Sequence, residues 1–295
     1  MINDMDNQKN RIIARILTVI FIIASLSLAL VYDAYYRAPS RYQVRYETLE
    51  SVFIPDQLDN VSILFFSDLD YGTFVDEARL SKLTDSINQL SPDVIIFGGD
   101  LFDEIFTPSQ TDQDTVIRFF SAMKAPLGKY AVLGDFDCRS ESISAMVQDV
   151  LFQSDFELLL NSSVLLRNRG SGSISLTGLD SGLYGHPDID TAYTNVGRAV
   201  FNIAITHTPD LADSLPIDQT NYILSGHSHG GQAYWGFGAL YTPRMAERYF
   251  RSKHEIQGTV TLDITNGVGT TVEDVRFLSN AEIVLYRLKH KAMMS

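Results

Sequence analysis

From the amino terminus onward, the first feature of the hydropathy pattern is a stretch with almost no polar positions. Ile16 to Tyr32 reads ILTVIFIIASLSLALVY without a charge, and Ile12 to Ala14 extend it past the single interruption of Arg15. About 17–20 apolar residues in a helix can cross a bilayer core. A helix packed on a core would keep a polar stripe, and this one shows only small hydroxyls. The run is longer than that of a cleavable signal sequence and no clear A-x-A site follows, so an uncleaved anchor over about residues 12–32 is expected. Lys9, Arg11 and Arg15 precede the span, and Arg37, Arg41 and Arg45 follow it. The counts tie, but the tighter group in front favours an amino terminus inside. That makes a single-pass protein of the cell membrane with its domain extracytoplasmic.

Asp33 to Gln57 is polar and aromatic and reads as a juxtamembrane lead-in. Beyond it, short runs rich in Val, Ile and Phe alternate with stretches of helical spacing. Val61–Phe66, Val94–Phe97, Tyr130–Leu133, Ile174–Leu179, Phe201–Thr206 and Tyr222–Leu224 read as buried strands. Val75–Leu90, Asp112–Met123 and Ser142–Phe152 read as helices. Val260–Ile264 and Glu282–Leu288 read as late strands with no helix between them. The alternation predicts a layered α/β domain over residues 37–295, more antiparallel towards its end, with residues 1–36 as tail and anchor. The chain shows no repeat and no linker that would split this domain.

Composition changes the picture little. The formal net charge of −13 gives no general attraction for nucleic acid, so a nucleic-acid partner is not expected. The one cysteine, Cys138, allows neither an intramolecular disulfide nor a cysteine-based metal site.

Candidate chemistry lies at the carboxyl ends of five predicted strands, where α/β sheets gather ligands. The clusters are Ser67-Asp68-Leu69-Asp70, Gly98-Gly99-Asp100, Gly134-Asp135-Phe136-Asp137, Thr206-His207-Thr208-Pro209-Asp210 and Gly226-His227-Ser228-His229-Gly230-Gly231-Gln232. Any one aspartate after a strand is more often a turn or cap residue than a ligand. Together, several carboxylates and three imidazoles suit a pair of divalent metals, the arrangement that serves phosphate-ester hydrolysis. His227 and His229 alternate in sequence, so a bend at the neighbouring glycines must bring both rings to one site.

In their order, these clusters resemble the calcineurin-like metallophosphoesterases, whose pattern is D-x-H, G-D, G-N-H-D/E, a lone His and G-H-x-H. GHSHGGQ, AVLGDFD, HTPD, Gly178–Asp180, GALYTPRMAERYFR and ITNGVGTTVEDVRF are similar to the small membrane-associated bacterial phosphoesterases with GHTHGGQ. The resemblance covers about Val61 to Leu288 and implies a four-layer α-β-β-α sandwich. It implies a first metal held by Asp68, Asp70, Asp100 and His229. The second would be held by Asp100, Asp135, His207 and His227, with Asp100 bridging. It also places Asp68, Asp100, Asp135 and His227 in the catalytic set. Phosphorylated small-molecule or lipid substrates, met at the membrane through the amino-terminal helix, are the implied partners.

Three positions depart from that pattern. Asp70 stands for the D-x-H histidine, Asp135 for the G-N-H asparagine, and Phe136 for its histidine. Four carboxylates then face two dications, which weakens attraction for phosphate. They favour manganese, magnesium or calcium, with zinc or iron as alternatives. Phe136 cannot protonate a leaving group, a contribution of roughly 10²–10⁴-fold in general acid catalysis. Two functions remain in view: a phosphoesterase, and a catalytically silent domain that binds metal, phosphate or a protein. Tyr234, Trp235 and Phe237 form either an apolar wall beside the site or core packing after a glycine turn, and His186 and His254 read as exposed polar histidines.

Overall fold

The computed structural model describes residues 2–198, 200–239 and 242–292, with side chains from residue 8. Helix α1 (Ile2–Tyr36) stands clear of the rest, and none of its apolar window is buried. It is the one helix among the described residues long and apolar enough to cross a membrane. The chain then alternates through β1 (Gln43–Ser51), β2 (Ser62–Phe66), α2 (Glu77–Leu90), β3 (Val94–Phe97), α3 (Gln110–Ala122), β4 (Lys129–Ala131), α4 (Glu141–Gln153) and β5 (Glu157–Leu158). There follow β6 (Ser162–Arg167), β7 (Ser173–Gly178), α5 (Ile189–Tyr193), β8 (Asn202–Ile205), β9 (Tyr222–Ser225), β10 (Ser252–Ile256), β11 (Val260–Ile264) and β12 (Glu282–His290).

Two six-stranded sheets result, in the orders β1-β12-β2-β3-β4-β5 and β10-β11-β9-β8-β7-β6. Side chains alternate across each sheet. Ile63 and Phe65 of β2, with Ile96 of β3, meet Leu176, Ile203 and Leu224 of the second sheet. Leu64 and Phe66 instead pack on the inner faces of α2, α3 and α4 through Leu83, Phe120 and Val147. The far face of the second sheet is covered by α5 and a 3-10 turn at Pro209–Ser214. The layers are therefore α-β-β-α, the last one thin. The helix starts are set by side-chain caps: Asp76, Ser109 and Ser140 accept from the backbone N–H three residues on.

Several expectations need correction. The lead-in at 33–57 contains the last turn of α1 and all of β1, which runs parallel to β12. Tyr46 and the charged Arg45, Glu47 and Glu50 give this edge strand little apolar signal. Strands β5, β6 and β10 were also unforeseen. The carboxyl-terminal part is antiparallel only in β10–β11 and β12–β2; β12–β1 and β11–β9 are parallel. Trp235 and Phe237 are exposed, which excludes core packing for them. Arg45 is no juxtamembrane charge: its guanidinium is half-buried against Glu47, Asp263 and Glu282.

Candidate metal centre

The strand ends bring the seven expected residues together, and the donor types divide by sheet. Asp68 and Asp70 follow β2, Asp100 follows β3 and Asp135 follows β4, all in the first sheet. His207 follows β8, while His227 and His229 follow β9, in the second. Each of the seven is buried. Backbone conformation is unusual there. Asp68, Asp70, Asp100, His227 and His229 all have φ between 49° and 68°, a region sparsely used by residues other than glycine and often found at functional sites. Gly134 lets β4 approach: a Cβ on it would collide with the Asp100 carboxylate.

The histidine protons are directed outward. Nδ1 of His207 donates to the Gly98 carbonyl at 2.7 Å, and Nε2 of His227 donates to the Arg244 carbonyl at 2.7 Å. The inward nitrogens then face carboxylates, His207 Nε2 to Asp100 Oδ2 at 3.0 Å and His227 Nδ1 to Asp135 Oδ2 at 3.1 Å. Two acceptors at such distances need a cation between them, either a proton or a metal. Asp100, His207 and His227 offer ligand atoms that all lie within 4.8 Å of one another. A second group lies beside them. His229 Nε2 is 3.5 Å from Asp70 Oδ2 and 3.8 Å from Asp68 Oδ1, and Asp68 Oδ1 is 3.9 Å from His207 Nε2. Neither oxygen of Asp70 has a hydrogen-bond partner among the described residues. Buried carboxylate oxygens in that condition suit a metal ligand.

Electrostatics follows from the crowding. Burial pushes Asp70 well above the usual carboxylate range, and Asp100 and Asp68 push the same way. Burial raises Asp100 to about 6 against the pull of His207. Burial also works against charging His207, yet the Asp100 carboxylate outweighs it and holds that imidazole well above its ordinary value. His229 has no such close partner; burial lowers it to about 4, and it is a neutral donor at pH 7.

Four residues support these ligands; Ser67 and Asp137 stand in the clusters named above without a role assigned to them, and Ser181 and Arg276 lie outside them. Asp137 is buried and accepts from the backbone N–H of Gly134, Asp100 and Leu101, clamping the β3 and β4 ends together. Ser67 donates to Asp68, and Ser181 donates to Asp135. Arg276 is fully buried and donates to the carbonyls of Asn266, Gly267, Gly269 and Ser279. Burial lowers it to about 10 while Asp68 and Asp70 pull it up, so it remains a cation behind the first metal group. Asp137 stands within AVLGDFD and Arg276 within ITNGVGTTVEDVRF, segments already singled out, but nothing in a motif distinguishes a clamp from a ligand. His186 is exposed and His254 lies on β10, where its ring pairs with the Arg251 carbonyl. Phe136 lines a cavity of about 410 Å³ that opens from His227 and His229 between Ala233, Pro243, Val272 and Val275.

The two sheets and the carboxylate–imidazole cluster between their strand ends define a metallophosphoesterase, a hydrolase. The chain belongs to the calcineurin-like phosphoesterases, whose family model matches residues 61–231. It is 28% identical to YkuE, an uncharacterised metallophosphoesterase of Bacillus subtilis, over 87% of this chain and 88% of that one. It is 26% identical to LpxG of Chlamydia trachomatis, a UDP-2,3-diacylglucosamine pyrophosphatase, over 78% of this chain and 84% of the relative. A zebrafish transmembrane protein with a metallophosphoesterase domain is 24% identical over 80% of this chain and 55% of its own length.

Proposed function

We propose that the protein is a membrane-anchored phosphoesterase acting through a divalent metal pair, with residues 37–295 as the catalytic unit. Asp68, Asp70, Asp100 and His229 would hold one ion, and Asp100, Asp135, His207 and His227 the other. The observation that carries this reading is the pair of inward imidazole nitrogens facing Asp100 and Asp135 with their protons fixed outward. Bound ions would supply the charge that neutralises a phosphoryl oxygen as its bond breaks. The residues themselves orient and separate donors. Phe136 N–H holds Asp100 Oδ1 at 2.8 Å, leaving Oδ2 for the inward position. An oxygen-rich set favours manganese, magnesium or calcium over zinc or iron. The substrate is a phosphoester or pyrophosphate of a small molecule or lipid, a class that includes the compound in LpxG's name. The anchor is α1, with its amino terminus inside: Arg45 is bound into the domain and Arg41 is paired with Asp33, which leaves Arg37 alone behind the span against Lys9, Arg11 and Arg15 in front.

Phe136 favours a second reading, a silent metal-binding domain. The two are separated by metal analysis with a turnover assay on bis-(nitrophenyl) phosphate. One to two manganese ions per chain are expected, fewer in His229→Ala and Asp100→Asn, with metal-dependent turnover. A folded protein that takes up no metal sinks both readings, and a loaded one without turnover leaves the silent domain.

A further inference from the structure

The tip of the segment after the metal motif is apolar and bare. Tyr234 to Ala239 forms a small hairpin, in which Trp235 N–H donates to the Gly238 carbonyl at 3.1 Å. Phe237 at its tip is fully exposed, and Trp235 is 54% exposed. Val272 and Leu278 beside it are 76% and 62% exposed. Scattered apolar residues need no explanation, but a contiguous aromatic tip at the mouth of a cavity does.

Its position relative to α1 supplies one. The Tyr234 N–H donates to the Phe277 carbonyl at 2.8 Å, and the Trp235 ring lies on Phe277 with centroids 4.8 Å apart. The neighbouring Arg276 N–H donates to the Ala34 carbonyl of α1 at 3.0 Å. One ring contact and two hydrogen bonds thus connect the hairpin, through Arg276 and Phe277, to the last turn of the apolar helix. That turn carries Tyr32, Tyr35 and Tyr36, all exposed, with Tyr32 and Tyr36 stacked at 5.1 Å. Tyrosines grouped at one end of a span mark the membrane–water interface. Ala34 lies among them, so the backbone of Arg276, and through Phe277 the hairpin, is tied to that end of the helix.

From this we infer that the Tyr234–Ala239 hairpin, with Val272, is a second membrane contact that seats the cavity mouth on the bilayer surface. The occupant of the patch is lipid. A chain of net charge −13 has no general attraction for anionic headgroups, so the contact is made by Trp235 and Phe237 entering the interfacial layer. Ala233, Val272 and Val275 then continue the apolar surface from the bilayer to Phe136 and the metal centre. The inference rests on α1 spanning the membrane.

Trp235 is the only tryptophan in the chain, so its emission reports on this hairpin alone. The full-length protein is reconstituted into zwitterionic nanodiscs with and without lipids brominated at shallow acyl positions. Expected are emission shifted to shorter wavelength, loss of intensity with brominated lipid, and protection from aqueous iodide. Phe237→Glu should melt as the wild type does, since the side chain is fully exposed, and should lose all three while staying in the disc. The proposal is overturned if incorporated protein keeps a long-wavelength, iodide-accessible emission indifferent to bromine, or if Phe237→Glu changes nothing. Failure of the chain to enter discs at all would remove the anchor, and this contact with it.

Discussion

Asp100 has two oxygens with different duties: Oδ1 accepts the Phe136 N–H and Oδ2 faces His207. In the metal-free protein it titrates at about 6 instead of 3.8 because it is buried. Between those values the folded state keeps a proton that the unfolded state has lost. Its stabilisation is therefore present below the unfolded value and disappears as the pH rises through about 6, by roughly 3 kcal/mol at most. His229 has the opposite sign: with a folded value of about 4, its contribution is present above 6.5 and fades as the pH falls. Asp100→Asn removes the first effect together with the hold on His207, whose contribution has the same sign, and leaves that of His229. Metal-free melting curves should show the wild type losing ground to Asp100→Asn as the pH rises from about 4 to about 7, and saturating manganese should reverse the order at neutral pH. A difference in Tm that ignores pH would contradict the burial argument. Phe136 poses the other question at this scale. Phe136→His should raise turnover by on the order of 10–100-fold on alkyl phosphates and less on nitrophenyl esters, because only a poor leaving group needs its proton. An equal gain on both would show that the imidazole acts in some other way.

Arg45 is the main cross-tie between elements of the two sheets. From β1 it reaches Asp263 on β11 with two hydrogen bonds of 2.9 and 2.8 Å, and it also meets Glu282 on β12. Asp263 is fully buried and additionally accepts from Tyr222 and Tyr286. Arg45→Ala would leave that carboxylate without its cation, a loss of about 3–5 kcal/mol in denaturant unfolding. Asp263→Asn in the same chain should recover part of it, since the two act as one unit; strictly additive losses would argue against the pairing. Elements of this kind explain what was legible beforehand. β2, β3, β8 and β9 are buried on both faces and read as continuous apolar runs, and each ends in a ligand cluster that marks its direction. β1 is an edge strand whose charged residues make tertiary pairs, and nothing local tells Arg45 from a juxtamembrane charge. Asp137 and Ser181 were hidden for the same reason, since each acts on a loop distant in sequence, and Arg276 because its charge acts on the distant Asp68 and Asp70.

At the scale of the molecule, the anchor and the domain are joined through few atoms. Deleting residues 1–32 removes the apolar span but keeps Asp33 for Arg41 and the Ala34 carbonyl for Arg276. That chain should stay in solution without detergent and melt cooperatively within a few degrees of the full protein. Aggregation would show that α1 supports the fold as well as carrying it. Deleting through residue 51 also strips β1 from β12 and should abolish the cooperative melt. The placement of β12 has one more consequence. It is made last, yet it lies between β1 and β2, the first strands of the chain. Until residues 282–290 arrive, β1 has no neighbour in its sheet, and Gly267, whose carbonyl takes the Glu282 N–H, lacks that tie beside Asp68. With the topology proposed above and export of the chain unfolded, closure of the first sheet would wait for β12 to reach the far side. The ions on offer in that compartment, and not those where the chain was synthesised, would then be the ones the finished centre meets.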